Sequence, residues 1–587
     1  MKYPTLYTKE SSRQMVDTFK GYNHNLRIND GEFFDMKNMT SDSYPVLSPR
    51  KKRGVYASPA SSTGLIEKDS LCYVDGTDFV MNGHPIDMDL SDEPKQLVSM
   101  GAYVIILPDK KYINTENISD HGNIEAEFTT SGKTSFTLCK LDSSDYEVKF
   151  PPSDKAPGAA TEENPNGAKN MDLWIDTSTT PHSLKQYSES AGMWVSIATT
   201  YVKISSPNIG KAFEKFDGIT ISGLVDTKAA SLEGAAVVWE KGDDYIVVVG
   251  ILDTTVEIDS DITISRKMPN MDFVIESENR LWGCRYGTSV DGEIVNEIYC
   301  SKLGDFKNWN CFMGLSTDSY VASVGTDGVF TGAITHMGYP LFFKENFLHK
   351  VYGNYPANFQ VQTTACRGVQ RGCDKSLAIV NEILLYKARS GIVAYDGSLP
   401  TEASYALGNE AYSEAVAGSH GNKYYVSMKD TQDAYHLFVY DMGKGMWHRE
   451  DDLHADCFCS CRGDLYAIDH DSKGIITMLG SGTQDADDVE WMVQTGEIGI
   501  TSPDMKYISR LTVRLMLEPN AQAAFYVQYD FNEEWEHQVT LTGTSLRSFS
   551  IPIRPKRCDH MKLRIEGVGN AKIYSITKTI EQGSELS

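Results

Sequence analysis

Residues 270 to 480 constrain the fold most. This stretch repeats a strand-turn-strand unit and shows no helical period. The units are "MDFVIESENRLWGCRYG" (271–287), "AITHMGYPLFFKENFLHKVYG" (333–353), "SLAIVNEILLYKARSGIVAYDG" (376–397), "EAVAGSHGNKYYVSMKD" (414–430) and "HADCFCSCRGDLYAIDHDSKGIITML" (454–479). Each places a short turn of Asn, Gly, Glu or Arg between two apolar runs. Short strands at regular spacing with Gly and aromatic landmarks predict a β-propeller of six or seven blades. A blade leaves apolar area on both sheet faces, and only neighbouring blades can cover it.

The rest of the chain predicts further β structure. Residues 57–113 supply the first blades, with turns at Asp75-Gly76 and Pro108-Asp109. Residues 114–268 read as one or two small β domains inserted at a propeller edge. Within them, 150–170 is a Pro/Gly/Asn-rich loop or linker, and Trp174, Tyr187 and Trp194 recur across short strands as a candidate aromatic platform. Residues 269–480 complete the propeller. Residues 481–587 begin with an acidic linker and continue as clean two-residue alternation, predicting a C-terminal β-sandwich.

Charge narrows the function classes. With 55 basic against 80 acidic residues the net charge is −25, which excludes a surface wrapped by nucleic acid. A bore through which DNA passes without adsorbing is compatible with that sign. Residues 1–56 form an arm dense in turns, and Arg50, Lys51, Lys52 and Arg53 are its basic cluster, which fits phosphate, an acidic patch on a partner subunit or, equally, a solvated turn beside the first strand. No export leader and no membrane-spanning segment are expected. Eleven cysteines, an odd number, then read as free thiols in a reducing compartment.

No set of residues reads as catalytic, and no cofactor or metal is expected. Cys457, Cys459 and Cys461 alternate along one strand too widely for a tetrahedral ion. Asp485, Asp487 and Asp488 do not match the helix-loop-helix calcium spacing. Asp305 reads as the cap of its own turn. The run from His448 to Asp452 lacks a nucleophile set against a base. Among 80 acidic residues, no carboxylate pair is marked for glycosidic chemistry by its context.

The arm "GYNHNLRINDGEFFDMKNMTSDSYPVLSPRKKRG" resembles the opening of phage and prophage structural proteins that carry an N-M-x-x-x-x-x-P-x-L-x-x-R motif before a propeller. Asn38, Met39, Pro45, Leu47 and Arg50 carry it here. "NRLWGCRYG…NEIYCSKLGDFKNW" is similar to a stretch of podovirus-type tail nozzle or tail stabilisation proteins, departing from it at Cys300 and Phe306-Lys307. The resemblance implies a structural, non-enzymatic virion protein made in the bacterial cytoplasm. It implies a homo-oligomer, a hexameric ring around the DNA exit channel, bound to the phage adaptor or portal complex and other tail proteins. DNA would pass transiently without specific binding. The alternative expectation is a tail protein that binds carbohydrate and recognises a host-surface glycan.

Overall fold

The computed structural model describes residues 11–289, 292–480, 488–500, 504–530 and 532–582. They form an almost all-β architecture with many small sheets; the one α-helix among them is the four-residue Ile209–Ala212. The chain divides into two compact units. One comprises Met1–Leu97, Thr326–Lys350 and Gln362–Ser587, and the other Val98–Gly325 and Val351–Val361.

Seven meanders of four strands recur. Six are continuous in sequence, over residues 62–87, 96–123, 273–323, 332–365, 378–402 and 413–449. The seventh has three strands of its own, Ala455–Cys461, Asp464–Asp469 and Ile475–Thr477, and takes its fourth from the arm, Gly54–Ala57. The turns joining first to second strands explain the sequence pattern. Glu278-Asn279, Met337-Gly338, Asn381-Glu382 and Arg462-Gly463 each hold two successive residues at positive φ. That is the two-residue hairpin turn whose twist matches the flanking strands.

In the first unit, consecutive meanders pack on one another. Phe343 of the fourth meets Tyr386 of the fifth, with ring centroids 5.1 Å apart. The Tyr424 hydroxyl of the sixth donates to the Ser376 carbonyl ahead of the fifth at 2.8 Å. Gly418 of the sixth lies so close to Phe458 of the seventh that a Cβ would sit 2.4 Å from its Cβ. Cys457, Cys459 and Cys461 of the seventh pack against Leu65 and Tyr73 of the first. All eleven cysteines are free.

The arm and the C-terminal strands extend the sixth meander. Its strand Met446–Arg449 pairs with Gly21–Tyr22, which pairs in parallel with Glu32–Lys37. That strand pairs with Glu490–Thr495, which leads to Met561–Val568, Lys506–Tyr529, Ala571–Gln582 and Ser11–Val16. Strand Lys506–Tyr529 bonds Ala571–Gln582 up to Leu517 and Met561–Val568 from Gln522, so it serves two strand sets. One apolar core runs from Phe19 and Phe33 through Leu384 and Tyr424 to Phe525 and Ile565.

In the second unit, an eight-stranded sheet spans Ala126–Thr129 to Thr263–Arg266 around Phe136, Ile204, Ile219 and Val248. A four-stranded sheet beside it holds the aromatic module: Phe150–Ser153, Leu173–Asp176, Ser183–Ser188 and Met193–Ser196. The predicted linker therefore begins as a strand, parallel to Leu173–Asp176. Val98, Ile105 and Tyr112 of the second meander share a cluster with Val274, Leu281 and Trp309 of the third.

Candidate functional site

Three of the four residues in the arm's basic cluster, Arg50, Lys52 and Arg53, are paired within the chain. Arg53 pairs with Asp451 and, at 3.0 Å, with Glu450. Arg50 reaches Asp451 at 3.1 Å and donates from Nε to Asn38 Oδ1 at 2.8 Å. Lys52 meets Asp488 at 2.8 Å, and Lys51 is exposed. Burial works against the charges of Arg53 and Asp451. The opposing fields outweigh it, holding Arg53 above and Asp451 below its ordinary pKa. Burial pushes Glu450 up. Asn38 Nδ2 donates to the Glu490 carbonyl at 2.7 Å, Met39 is buried, and Pro45 follows a cis peptide bond.

This network walls a cleft of about 580 Å³ lined by Asp42, Arg50, Lys423, Asp441, Lys444 and Glu450 among others. Apart from the exposed Lys51, its lysine and arginine side chains are paired. Lys423 donates to Asp42 at 2.5 Å, and Lys444 to Asp441 at 3.0 Å.

The aromatic module is likewise internally packed. Trp174 and Tyr187 are 2% and 7% exposed, and Trp194 is half-buried. Trp194 lies 5.5 Å from Trp174 and 5.3 Å from Tyr187, centroid to centroid. Both indoles donate to the 150–170 segment, Trp174 to Ser153 Oγ at 3.0 Å and Trp194 to the Pro157 carbonyl at 2.9 Å. Of the three rings, only Trp194 keeps appreciable surface.

The motif around the third meander is also structural. Arg280 is buried and donates to the carbonyls of Ser301, Ser316 and Asp318 at 2.7–2.8 Å. Asp305 accepts from the Lys307 amide at 3.0 Å, the turn cap its position predicts. Asp485 and Asp487 lie outside the described residues.

A second cleft, about 360 Å³, has a different character. The fifth meander, the turn that follows it and arm residue Asn25 build it. Its floor is paired: Lys387 is buried and donates to Gln370 Oε1 at 2.6 Å and to the Ala388 carbonyl at 2.7 Å. Desolvation lowers the Lys387 pKa. Glu402 accepts from Ser404 at 2.7 Å and from Arg367 at 3.1 Å. The arm fixes the wall, with His24 N donating to the Ala406 carbonyl and Asn25 Nδ2 to that of Tyr405. Gly391, at φ 138°, passes so near Ser404 that a Cβ would lie 2.2 Å from its Oγ. Only glycine allows that approach.

The rim of this cleft is unpaired. Tyr405 is 75% exposed. Arg389, Asn409 and Glu410 are exposed, and among the described residues their side chains have no hydrogen-bond or ion-pair partner. Tyr412 lies behind them, its pKa raised by burial and then by Glu410. An open aromatic ring beside a guanidinium, an amide and a carboxylate can bind a hydroxyl-rich ligand by its apolar face and its hydroxyls together. None of these four residues stands out in the sequence. For Tyr405, Asn409 and Glu410 the signal is confined to a turn-rich "SYALGNEAY" after Pro400, and Arg389 sits in the earlier hairpin turn "ARSG".

No family model and no curated protein matches the chain. Solved structures match at low similarity. An exo-β-1,3-galactanase from Phanerochaete chrysosporium with galactose is 9% identical over 52% of this chain and 94% of its own, at a TM-score of 0.20. A family 43 arabinoxylan arabinofuranohydrolase from Bacillus subtilis, in complex with cellotetraose, is 8% identical over 52% and 94%, at 0.17. Phage phi92 endosialidase is 10% identical over 80% and 76%, at 0.23.

Glycoside hydrolases recur among these matches. The expectation that the chain is not an enzyme does not stand beside them. Nor does its description as a purely structural tail-nozzle protein of a DNA ejection channel. At these TM-scores the likeness assigns no activity to this chain. No described helix is long and apolar enough to cross a membrane.

Proposed function

We propose that this chain is a carbohydrate-recognition protein of a phage particle, with the rim of the 360 Å³ cleft as its sugar-binding surface. One observation carries the reading: the exposed Tyr405 and the unpaired Arg389, Asn409 and Glu410 line one cleft. Buried or paired polar groups offer a ligand nothing, whereas unpaired ones around an open ring supply both orientation and contact area. The arm motif, similar to phage structural proteins, supports the particle context.

We also propose that the four-stranded meanders are propeller-type blades, packed one on the next within each unit. Three features support this: the consecutive packing of meanders within the first unit, the second-to-third cluster within the other, and the arm strand Gly54–Ala57 completing the seventh sheet.

A glycan array tests the sugar reading, run with the full chain and with Tyr405→Ala. The expected result is binding to a restricted glycan class that Tyr405→Ala weakens about tenfold. Incubating each hit with the protein and looking for shortened chains reads whether cleavage accompanies binding. No hit on the array, or hits indifferent to Tyr405→Ala, would refute the assignment.

A further inference from the structure

The seventh meander brings together three metal-ligating side chains that the sequence keeps apart. His454 precedes its first strand, Asp456 lies within that strand, and His470 follows the second. Antiparallel pairing sets Ala455 opposite Asp469, which places the two histidines side by side. Their rings stack at 3.9 Å and 20°. Tyr435 of the sixth meander stacks against His454 at 3.5 Å and 12°, with its hydroxyl on Glu414 at 2.5 Å. His470 Nδ1 lies 2.6 Å from Asp456 Oδ1. The group is half-buried at His454 and Asp456 and exposed at His470, so an ion can enter from solvent.

We propose that His454, Asp456 and His470 form a binding site for a divalent transition metal such as Zn²⁺. One donor atom from each lies within 4.8 Å of the others. A tetrahedral ion at about 2.0–2.1 Å from each ligand requires donors about 3.4 Å apart, so on binding the stacked imidazoles turn toward a common point. Two imidazoles and one carboxylate suit Zn²⁺, Co²⁺ or Ni²⁺, and a single carboxylate excludes a calcium-type oxygen cage. Three protein ligands leave a fourth position for water or a ligand.

Lys473 competes for this site. Its Nζ lies 2.8 Å from Asp456 Oδ2 and 3.5 Å from His470 Nδ1. Its side chain is 37% exposed, and an ion pair that open to water is weak. A divalent ion carries twice the charge and displaces it. The cluster is separate from the sugar reading and stands or falls independently of it.

Calorimetric titration of ZnCl₂ into the full chain at pH 7.5 tests the site. One Zn²⁺ is expected per chain, with Kd on the order of micromolar. His454→Ala and His470→Ala each weaken it at least about tenfold. Lys473→Met leaves the ligands in place and tightens binding by a few-fold. Co²⁺ titration adds a spectroscopic readout, a visible absorption band of tetrahedral type lost in both histidine variants. Zinc binding unchanged in the His454→Ala/His470→Ala double variant would overturn the site. So would weaker binding in Lys473→Met, or no heat in the unmodified chain at about 1 mM ZnCl₂.

Discussion

The two clefts of the first unit differ in what their polar groups already do. The larger, about 580 Å³, is lined by more charge, yet Lys423, Lys444, Arg50 and their carboxylates satisfy one another. The smaller, about 360 Å³, has a paired floor and an unpaired rim. Size and charge alone would favour the first. Unmet hydrogen-bonding capacity favours the second, because a ligand gains little from groups it must first take from their partners. The first cleft joins the arm to the sixth meander, whereas the second keeps exposed, unpaired side chains.

The largest effect that sharpens this contrast is at Arg53. Arg53→Ala leaves the buried Glu450 and Asp451 with Arg50 as their remaining cation, which costs on the order of 3 kcal/mol. Urea denaturation reads it as a fall in the transition midpoint. Arg389→Ala at the rim of the second cleft leaves stability within about 0.5 kcal/mol. Equal losses in the two variants would break the comparison.

Acid acts on the same side. His448 is buried beside the first cleft, and desolvation lowers its pKa to about 3. Its folded value lies below the ordinary 6.5, so its contribution is fully present above pH 6.5. It declines as pH falls through that value toward 3. Between pH 7.5 and 5 this amounts to about 2 kcal/mol. His448→Gln flattens the dependence of Tm on pH over this range. An unchanged slope would remove His448 from the explanation.

The smallest effect on stability and the clearest on function is at Tyr405. Tyr405→Ala leaves Tm within a degree or two, since the ring is exposed, while glycan affinity falls about tenfold with the lost stacking surface. A large fall in Tm would make Tyr405 a structural residue and leave the cleft without its platform.

Much of the fold is legible in the sequence because it is local. The units at 271–287, 333–353, 376–397, 414–430 and 454–479 each fall on a meander, and their Asn, Gly, Glu and Arg turns occupy the positive-φ positions that hairpins demand. The arm is not legible, because its partners are remote. Nothing near Arg50–Arg53 in the chain announces that Glu450 and Asp451 lie against it, or that Gly54–Ala57 completes a sheet beginning at Ala455. The aromatic trio is legible as a cluster, but burial within it depends on the 150–170 segment folding over two indoles. The rim residues are the least legible. Arg389 ends one hairpin and Tyr405 opens a turn, and only the fold places them on one cleft.

Equilibrium titration with the best glycan from the array measures the central claim most directly, using the unmodified chain, Tyr405→Ala and Lys423→Ala. The sugar reading predicts that Tyr405→Ala loses about tenfold in affinity while Lys423→Ala, in the paired cleft, binds as the unmodified chain does. Loss in Lys423→Ala with retention in Tyr405→Ala would contradict it and move the binding surface to the larger cleft.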